Sequence, residues 1–182
     1  MKELLKIEQG TMRFGGLTAL SSLDFSIREK ELVGLIGPNG AGKTTVFNLI
    51  TGVYRPTSGR VFLGERDITG LRPYTIAAAG IGRTFQNIRL FESLTVFDNV
   101  RAAFNLHLRH NAIHALTRGP KFCEEEKEIA QKTLEILEIF HLGAQRDKPC
   151  TSLAYGDQRR LEIVRALATK PRLLLLDEPA AG

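Results

Sequence analysis

An α/β fold with a helical insertion is what this chain predicts, and three observations carry that expectation. The stretch Gly37-Pro38-Asn39-Gly40-Ala41-Gly42-Lys43-Thr44, followed by Thr45, has the spacing G-x-x-x-x-G-K-[ST] between a strand-like run and a helix-like run. Leu173-Leu174-Leu175-Leu176 is an apolar run too short for anything but a buried strand, and it ends in Asp177 and Glu178. Between these lies a long stretch, from about Asn87 to Thr169, whose apolar residues recur at helical spacing.

In chain order, the first third reads as strands at Leu4–Glu8, Asp24–Ile27, Leu32–Ile36 and Arg60–Leu63. Glycine and polar turns such as Tyr54-Arg55-Pro56-Thr57-Ser58-Gly59 separate them, which predicts a mixed sheet. Lys43–Ile50 reads as the helix after the glycine-rich loop. Past Gln86, Thr95-Val96-Phe97-Asp98 has the form of a capping box opening a helix. Cys123–Phe140 follows as a second helix, with Glu128 and Lys132 paired at i,i+4 and Ile129, Leu134, Ile136, Leu137 and Phe140 available for burial. Arg109–Lys121, containing Gly119-Pro120, reads as a surface excursion between the two. Ser152–Thr169 predicts a third helix, facing a core through Leu161, Val164 and Ala168.

The glycine-rich loop carries the first chemical signal. Gly37, Gly40 and Gly42 reach dihedrals closed to other residues and turn successive N–H groups inward, so the loop and helix start hold anionic oxygens. Lys43 then reaches the β- and γ-phosphates of a nucleotide, and the Thr44 hydroxyl ligates Mg²⁺. The second signal is the acidic pair, which resembles a Walker B element. Ligands in open α/β sheets gather at the carboxyl ends of strands, and side chains alternate along a strand. Asp177 is therefore expected to face Mg²⁺ and Glu178 the attacking water, as general base. Alone, the segment reads equally as a strand stopping at a solvated acidic turn; the phosphate loop upstream tips it toward chemistry.

Leu153-Ala154-Tyr155-Gly156-Asp157-Gln158 and the helix behind it resemble the signature motif of ABC transporter ATPases, whose usual form is Leu-Ser-Gly-Gly-Gln. Ala154 stands where the family serine contacts the γ-phosphate, while Gly156 is retained. In isolation the same string reads as an amphipathic helix. Gln86, in Arg83-Thr84-Phe85-Gln86-Asn87, matches the family's Q-loop glutamine, which senses Mg²⁺ and the γ-phosphate. Phe14 falls where the family places an aromatic against adenine, although an unaided phenylalanine is more often a core residue. The phosphate loop, Arg83–Gln86, the stretch from Leu153 to Ile163 and Leu176–Gly182 together are similar to the ATP-binding subunits of branched-chain amino acid importers, wording that amide and urea importers share.

The resemblance covers essentially the whole chain and implies a P-loop NTPase, RecA-like core with an N-terminal antiparallel β subdomain and an α-helical subdomain. Residues 1–86 and 170–182 are expected to form the core, and 87–169 the helical subdomain. It further implies ATP and Mg²⁺ as ligands and transmembrane permease subunits as partners. A second ATP-binding subunit, identical or not, would complete each phosphate site with its signature, and a periplasmic or extracellular substrate-binding protein would act indirectly. The expected location is the cytoplasmic face of the membrane, with the apolar cluster Ile88, Leu90 and Phe91 touching the permease. The family's D-loop begins near Ala180-Ala181-Gly182, and its switch histidine follows the Walker B strand. None of His107, His110, His114 or His141 lies there, so the 182-residue chain is expected to bind nucleotide and turn it over poorly.

Composition narrows the alternatives. No apolar run approaches the roughly 20 residues of a spanning helix, and the N-terminus has no signal-peptide pattern. The 25 Lys and Arg against 20 Asp and Glu are mixed along the chain, so the net charge of +5 gives no basic block for nucleic acid. A soluble ABC ATPase acting on nucleic acid or the ribosome would usually need a tandem second domain or a basic or coiled-coil extension, neither of which is visible. A nucleotide-binding module without turnover remains open, and an Asn-Lys-x-Asp guanine motif is absent. Cys123 and Cys150 have neither zinc nor redox-pair spacing. His107, His110 and His114 can share a helical face, but no carboxylate or thiolate follows in ligating spacing before Cys123.

Overall fold

A computed structural model describes residues 2–104, 106 and 120–178. The chain divides into two compact units, residues 1–81 and 82–182.

The first unit is built on a hairpin. Strands β1 (Glu3–Phe14) and β2 (Leu17–Arg28) pair antiparallel through a Gly15-Gly16 turn, with Phe14 opposite Leu17 and Lys6 opposite Ser26. Strand β3 (Ser58–Leu63) joins the other edge of β1, with Leu5 opposite Leu63 and Ile7 opposite Val61. The short β4 (Arg66–Asp67) closes the order β2-β1-β3-β4. Alternation along the strands buries Leu5, Ile7, Val61 and Leu63, and helix α1 (Lys43–Ile50) adds Val46, Leu49 and Ile50 to the buried set. Helix α2 (Pro73–Ala78) starts on a proline whose fixed φ suits the first turn, and it buries Ile76. At the β1–β3 register shift between Glu8 and Thr11, Gly59 has φ +89, and a Cβ there would sit 2.4 Å from the Gln9 carbonyl oxygen. Only glycine lets the two backbones approach so closely.

The sheet of this unit is antiparallel throughout rather than mixed. Leu32–Ile36 is not a buried strand: residues 31–36 carry no ladder, with Leu32 100% and Ile36 98% exposed. An apolar run becomes a strand only when a neighbouring strand accepts its N–H and C=O groups. Among the described residues none lies beside it.

The second unit is helical around a small sheet. Strand β5 (Ile81–Arg83), whose last two residues open this unit, pairs with β6 (Leu173–Leu175). Helices α3 (Val96–Phe104), α4 (Pro120–Ile139) and α5 (Tyr155–Ala168) bury Val100, Phe104, Leu137, Leu161 and Val164 in one apolar cluster. The start of α3 is capped as its sequence foretells. Asp98 N–H donates to Thr95 Oγ1 at 3.0 Å, and the Thr95 hydroxyl donates to Asp98 Oδ2 at 2.8 Å. The Glu128–Lys132 ion pair forms on α4, and Ile129 and Leu137 are buried there. The expected surface excursion and the three histidines His107, His110 and His114 fall outside the described residues, apart from the residues at the excursion's end that begin α4. No helix among the described residues is long and apolar enough to cross a membrane.

Candidate functional site

In the first unit the phosphate loop leads directly into α1. Gly40 and Gly42 both have φ +85, and Gly42 is the residue before the first helical turn. A Cβ on Gly42 would lie 3.0 Å from the Ala19 carbonyl oxygen and 3.0 Å from Leu20 Cδ2, so neither the dihedral nor the space admits a larger residue without movement. No side chain caps α1 and no acid occupies its first turn, which leaves its N–H groups and positive dipole end to an anion. Lys43 Nζ donates to the carbonyl oxygens of Gly37 (2.5 Å) and Pro38 (2.9 Å), which holds the ammonium against its own loop. Thr44 is exposed and Thr45 half-buried, while Pro38, Asn39 and Ala41 line the loop's exposed side.

Phe14, at the end of β1, is not in the core: it is 41% exposed. Its ring meets Tyr54 edge-on, with centroids 5.1 Å apart and planes at 75°. Tyr54 was not singled out by the sequence, because a tyrosine in a Pro- and Gly-containing turn carries no positional signal.

In the second unit, β5 and β6 bring Gln86 and the acidic pair together. Thr84 N–H donates to the Leu175 carbonyl at 3.0 Å, and Asp177 N–H donates to Thr84 Oγ1 at 3.1 Å, so the two strand ends are stitched by backbone and hydroxyl. Just beyond, Gln86 Nε2 donates to Glu178 Oε2 at 3.3 Å, with both side chains exposed. Glu178 sits at φ +48, a left-handed conformation costing a non-glycine residue on the order of 1 kcal/mol. The Asp177 carboxylate takes another course and pairs with Arg83 Nη2 at 3.3 Å, the two side chains being 15% and 8% exposed.

The signature residues open α5. Leu153 is buried, Ala154 is the N-cap with extended dihedrals, and Tyr155 is exposed. Alanine has no hydroxyl for the first-turn N–H groups, so this helix too starts without a side-chain cap. A Cβ on Gly156 would meet nothing within 4 Å, leaving its face of the helix start open. Asp157 is neutralised locally: Arg160 pairs with it and Gln145 Nε2 donates to its Oδ2 at 3.0 Å. Gln158 Nε2 donates back to the Leu153 carbonyl at 2.9 Å, fixing the entry to the helix.

The comparison with known proteins decides what these parts belong to. The sequence model described as ABC transporter matches residues 20–181. The chain belongs to the ABC transporter family. As a member it is an ATP-binding domain of the kind that hydrolyses ATP, with the antiparallel sheet and helical unit of the ABC cassette. It is 45% identical to the high-affinity branched-chain amino acid transport ATP-binding protein BraF of Pseudomonas aeruginosa, over 100% of this chain and 71% of that protein. Against LivG of Salmonella typhimurium, named for the same transport, identity is 46% over 98% of this chain and 70% of that protein. The ADP conformation of MJ1267, an ATP-binding cassette of an ABC transporter, superposes with a TM-score of 0.82 at 33% identity, covering 100% of this chain and 71% of that one.

ABC cassettes raise the question of a metal. Mg²⁺ takes hard oxygen donors, and this chain offers the types it prefers: the Thr44 hydroxyl at the start of α1, and the Gln86 amide oxygen and Asp177 carboxylate in the second unit. Among the described residues no cluster of three or more His, Cys, Asp and Glu forms a metal cage. The Thr44, Gln86 and Asp177 groups are each a hard oxygen donor of the type Mg²⁺ takes.

Sequence reasoning missed Arg159 and Glu162. Both are buried, at 7% and 4% exposure, on the face of α5 toward Gln86. Their only sequence signal is an opposite-charge i,i+3 pair interleaved with Leu161 and Val164, which ordinarily marks a solvated helix face.

Proposed function

We propose that this chain is the ATP-binding and hydrolysing subunit that energises an importer of branched-chain amino acids, at the cytoplasmic face of a membrane. The observation that carries the catalytic half is the Gln86 amide on the Glu178 carboxylate at 3.3 Å, beyond the end of β6. The substrate class rests on the names of BraF and LivG.

On this reading Phe14 stacks on adenine. The loop from Gly37 through Pro38, Asn39, Gly40, Ala41 and Gly42, with Lys43, Thr44 and Thr45, wraps the phosphates. Lys43 exchanges the Gly37 and Pro38 carbonyls for β- and γ-phosphate oxygens, a charge-assisted bond replacing two neutral acceptors. Thr44, Gln86 and Asp177 are the residues that would hold Mg²⁺, which supplies neutralisation of phosphate charge. Glu178 accepts a proton from the water that attacks the γ-phosphorus, while the bond from that phosphorus to the β-γ bridging oxygen breaks and ADP leaves. Gln86 keeps the carboxylate aimed. Leu153, Ala154, Tyr155, Gly156, Asp157 and Gln158 present the uncapped start of α5 to the γ-phosphate held by a second ATP-binding subunit.

Transmembrane permease subunits are the partners such a subunit drives. The surface after Gln86 suits one: Phe91 is 49% exposed beneath the Arg165 guanidinium, while Leu90 packs against the helical cluster. Co-purification of the full chain with a permease in membranes, followed by ATP-dependent uptake of labelled leucine, isoleucine or valine in proteoliposomes, tests the proposal. Uptake of amides or urea in place of these amino acids would replace the substrate class. Association with nucleic acid and no permease would overturn the transport reading.

A further inference from the structure

Two charged side chains on α5 have no place in the scheme above, yet one of them, Arg159, bonds the main chain of both exposed catalytic candidates, and the other, Glu162, bonds the main chain on either side of Gln86. Glu162 Oε1 accepts the N–H of Phe85 at 3.2 Å and that of Arg89 at 3.3 Å. Arg159 Nη1 donates to the carbonyl oxygens of Phe85 at 2.7 Å and Gln86 at 3.3 Å, and meets Glu162 Oε2 at 3.5 Å. Arg159 Nη2 donates to the carbonyls of Asp177 and, at 2.8 Å, of Glu178. One guanidinium thus bonds the main-chain carbonyl of each residue whose side chains meet, Gln86 and Glu178.

Arg165, one helical turn further along the same face, continues the pattern. It donates to the Arg89 carbonyl, and its guanidinium carbon lies 4.5 Å from the centroid of Phe91. Positions 159, 162 and 165 form an i,i+3,i+6 stripe that follows the main chain from Phe85 to Phe91. A stripe built for stability alone would not need charge, since a buried ion pair replaced by apolar residues of similar volume is often as stable. The planar fork of arginine, by contrast, fixes several acceptors in one geometry that neither lysine nor an apolar side chain reproduces.

We infer that Arg159, seated by Glu162, is a positioning residue that locks the Gln86 and Glu178 backbones to the helix opened by the signature residues. The inference rests on the roles proposed above for Gln86 and Glu178. Because both carbonyls hang on one side chain of α5, a displacement of that helix carries the pair with it. The left-handed backbone of Glu178 is held by the same bond, since its carbonyl is one of the four main-chain acceptors of Arg159.

The test uses the full chain with Arg159→Lys, which keeps the charge and loses the fork, and Glu162→Gln, which keeps the shape and weakens the seat. Amide hydrogen exchange is followed without nucleotide, and binding of a fluorescent ATP analogue and steady-state phosphate release are measured beside it. The expected result is exchange in residues 85–91 faster by about 10-fold or more, with β1 to β3 unchanged. Analogue affinity should stay within about twofold while kcat falls roughly 10- to 100-fold, a kcat effect without a matching KM effect. Unchanged exchange at 85–91 in both variants would overturn the inference, as would faster exchange there with kcat intact. Should Arg159→Lys fail to fold, Glu162→Gln decides by the same measurements. A wild-type chain that binds no nucleotide would defeat the ATPase reading, while the exchange comparison would still decide whether the clasp holds this segment.

Discussion

Helices α1 and α5 both begin with backbone N–H groups that no side chain caps, but their surroundings differ in kind. Ahead of α1 the loop makes its bonds with itself: Ala41 N–H to the Pro38 carbonyl at 3.2 Å, and Lys43 to the carbonyls of Gly37 and Pro38. Its side chains are few and mostly exposed. Behind the start of α5 stands a buried polar network reaching residues 73 to 77 positions away in the chain. Wrapping an anion is a task for local backbone, whereas aiming a base requires side chains from distant segments to converge. The first can be written in eight consecutive residues; the second cannot.

The largest way to break this contrast is to remove the base. Glu178→Gln should lower kcat about 10²- to 10⁴-fold, the range supplied by positioned proton transfer, while leaving nucleotide affinity nearly intact. Phosphate release and analogue titration on one preparation check both parts. Turnover equal to wild type would move the base elsewhere in the second unit.

Lys43→Ala attacks the other half. Losing a charge-assisted contact to phosphate should weaken Mg-ATP binding by about 1.5 to 3 kcal/mol, roughly 10- to 150-fold, with thermal stability little changed because the Lys43 ammonium bonds carbonyls of its own loop. Titration calorimetry reads this directly. Unchanged affinity in a folded variant removes the lysine from the role.

The same contrast explains what could be read from the sequence. Helix α1 was legible to the residue because a helix start is local, and the Thr95–Asp98 cap was legible for the same reason. β6 was legible as a short apolar run closed by acids. The stretch Leu32–Ile36 was misread because apolar composition says that a segment should be buried but not which strand will accept its backbone. Arg159 and Glu162 were invisible because their partners are main-chain groups of residues far along the chain, and an i,i+3 ion pair looks the same whether it faces water or a buried turn. Asp177 shows a third kind of gap: its position was foreseen, but its pairing with Arg83 arises only when β5 and β6 lie side by side.

Ala154→Ser sharpens the comparison from the side of α5. The N-cap dihedrals of Ala154, φ −60 and ψ 152, are those a capping serine adopts, so a hydroxyl there should satisfy a first-turn N–H and stabilise the chain by about 0.5 to 1 kcal/mol. A urea midpoint measured against wild type checks this. The same substitution restores the usual family letter, so on the proposed reading it should also raise ATP-dependent self-association. A midpoint that does not rise would mean that the first turn of α5 is already satisfied by other groups.

The smallest effect belongs to the first unit and to a carboxylate at its surface. Asp67, at the end of β4, accepts the Thr69 N–H at 2.8 Å, and hydrogen bonding from the Thr69 side chain and then its backbone holds the Asp67 carboxyl below its usual value of 3.8. A carboxyl lowered in the folded state adds stability that is fully present above the unfolded value and is lost as pH falls through the folded one. The contribution should therefore be constant from neutral pH down to about pH 5 and fade below the ordinary carboxylate value. It should be slight, because the group is almost wholly solvated and water screens whatever the bond gains. Urea midpoints of wild type and Asp67→Asn between pH 3 and 7 should differ little at neutral pH and converge in acid. A large acid-sensitive difference would place structural electrostatics in the first unit after all, and the division between a solvated phosphate loop and a buried charged clasp would have to be redrawn.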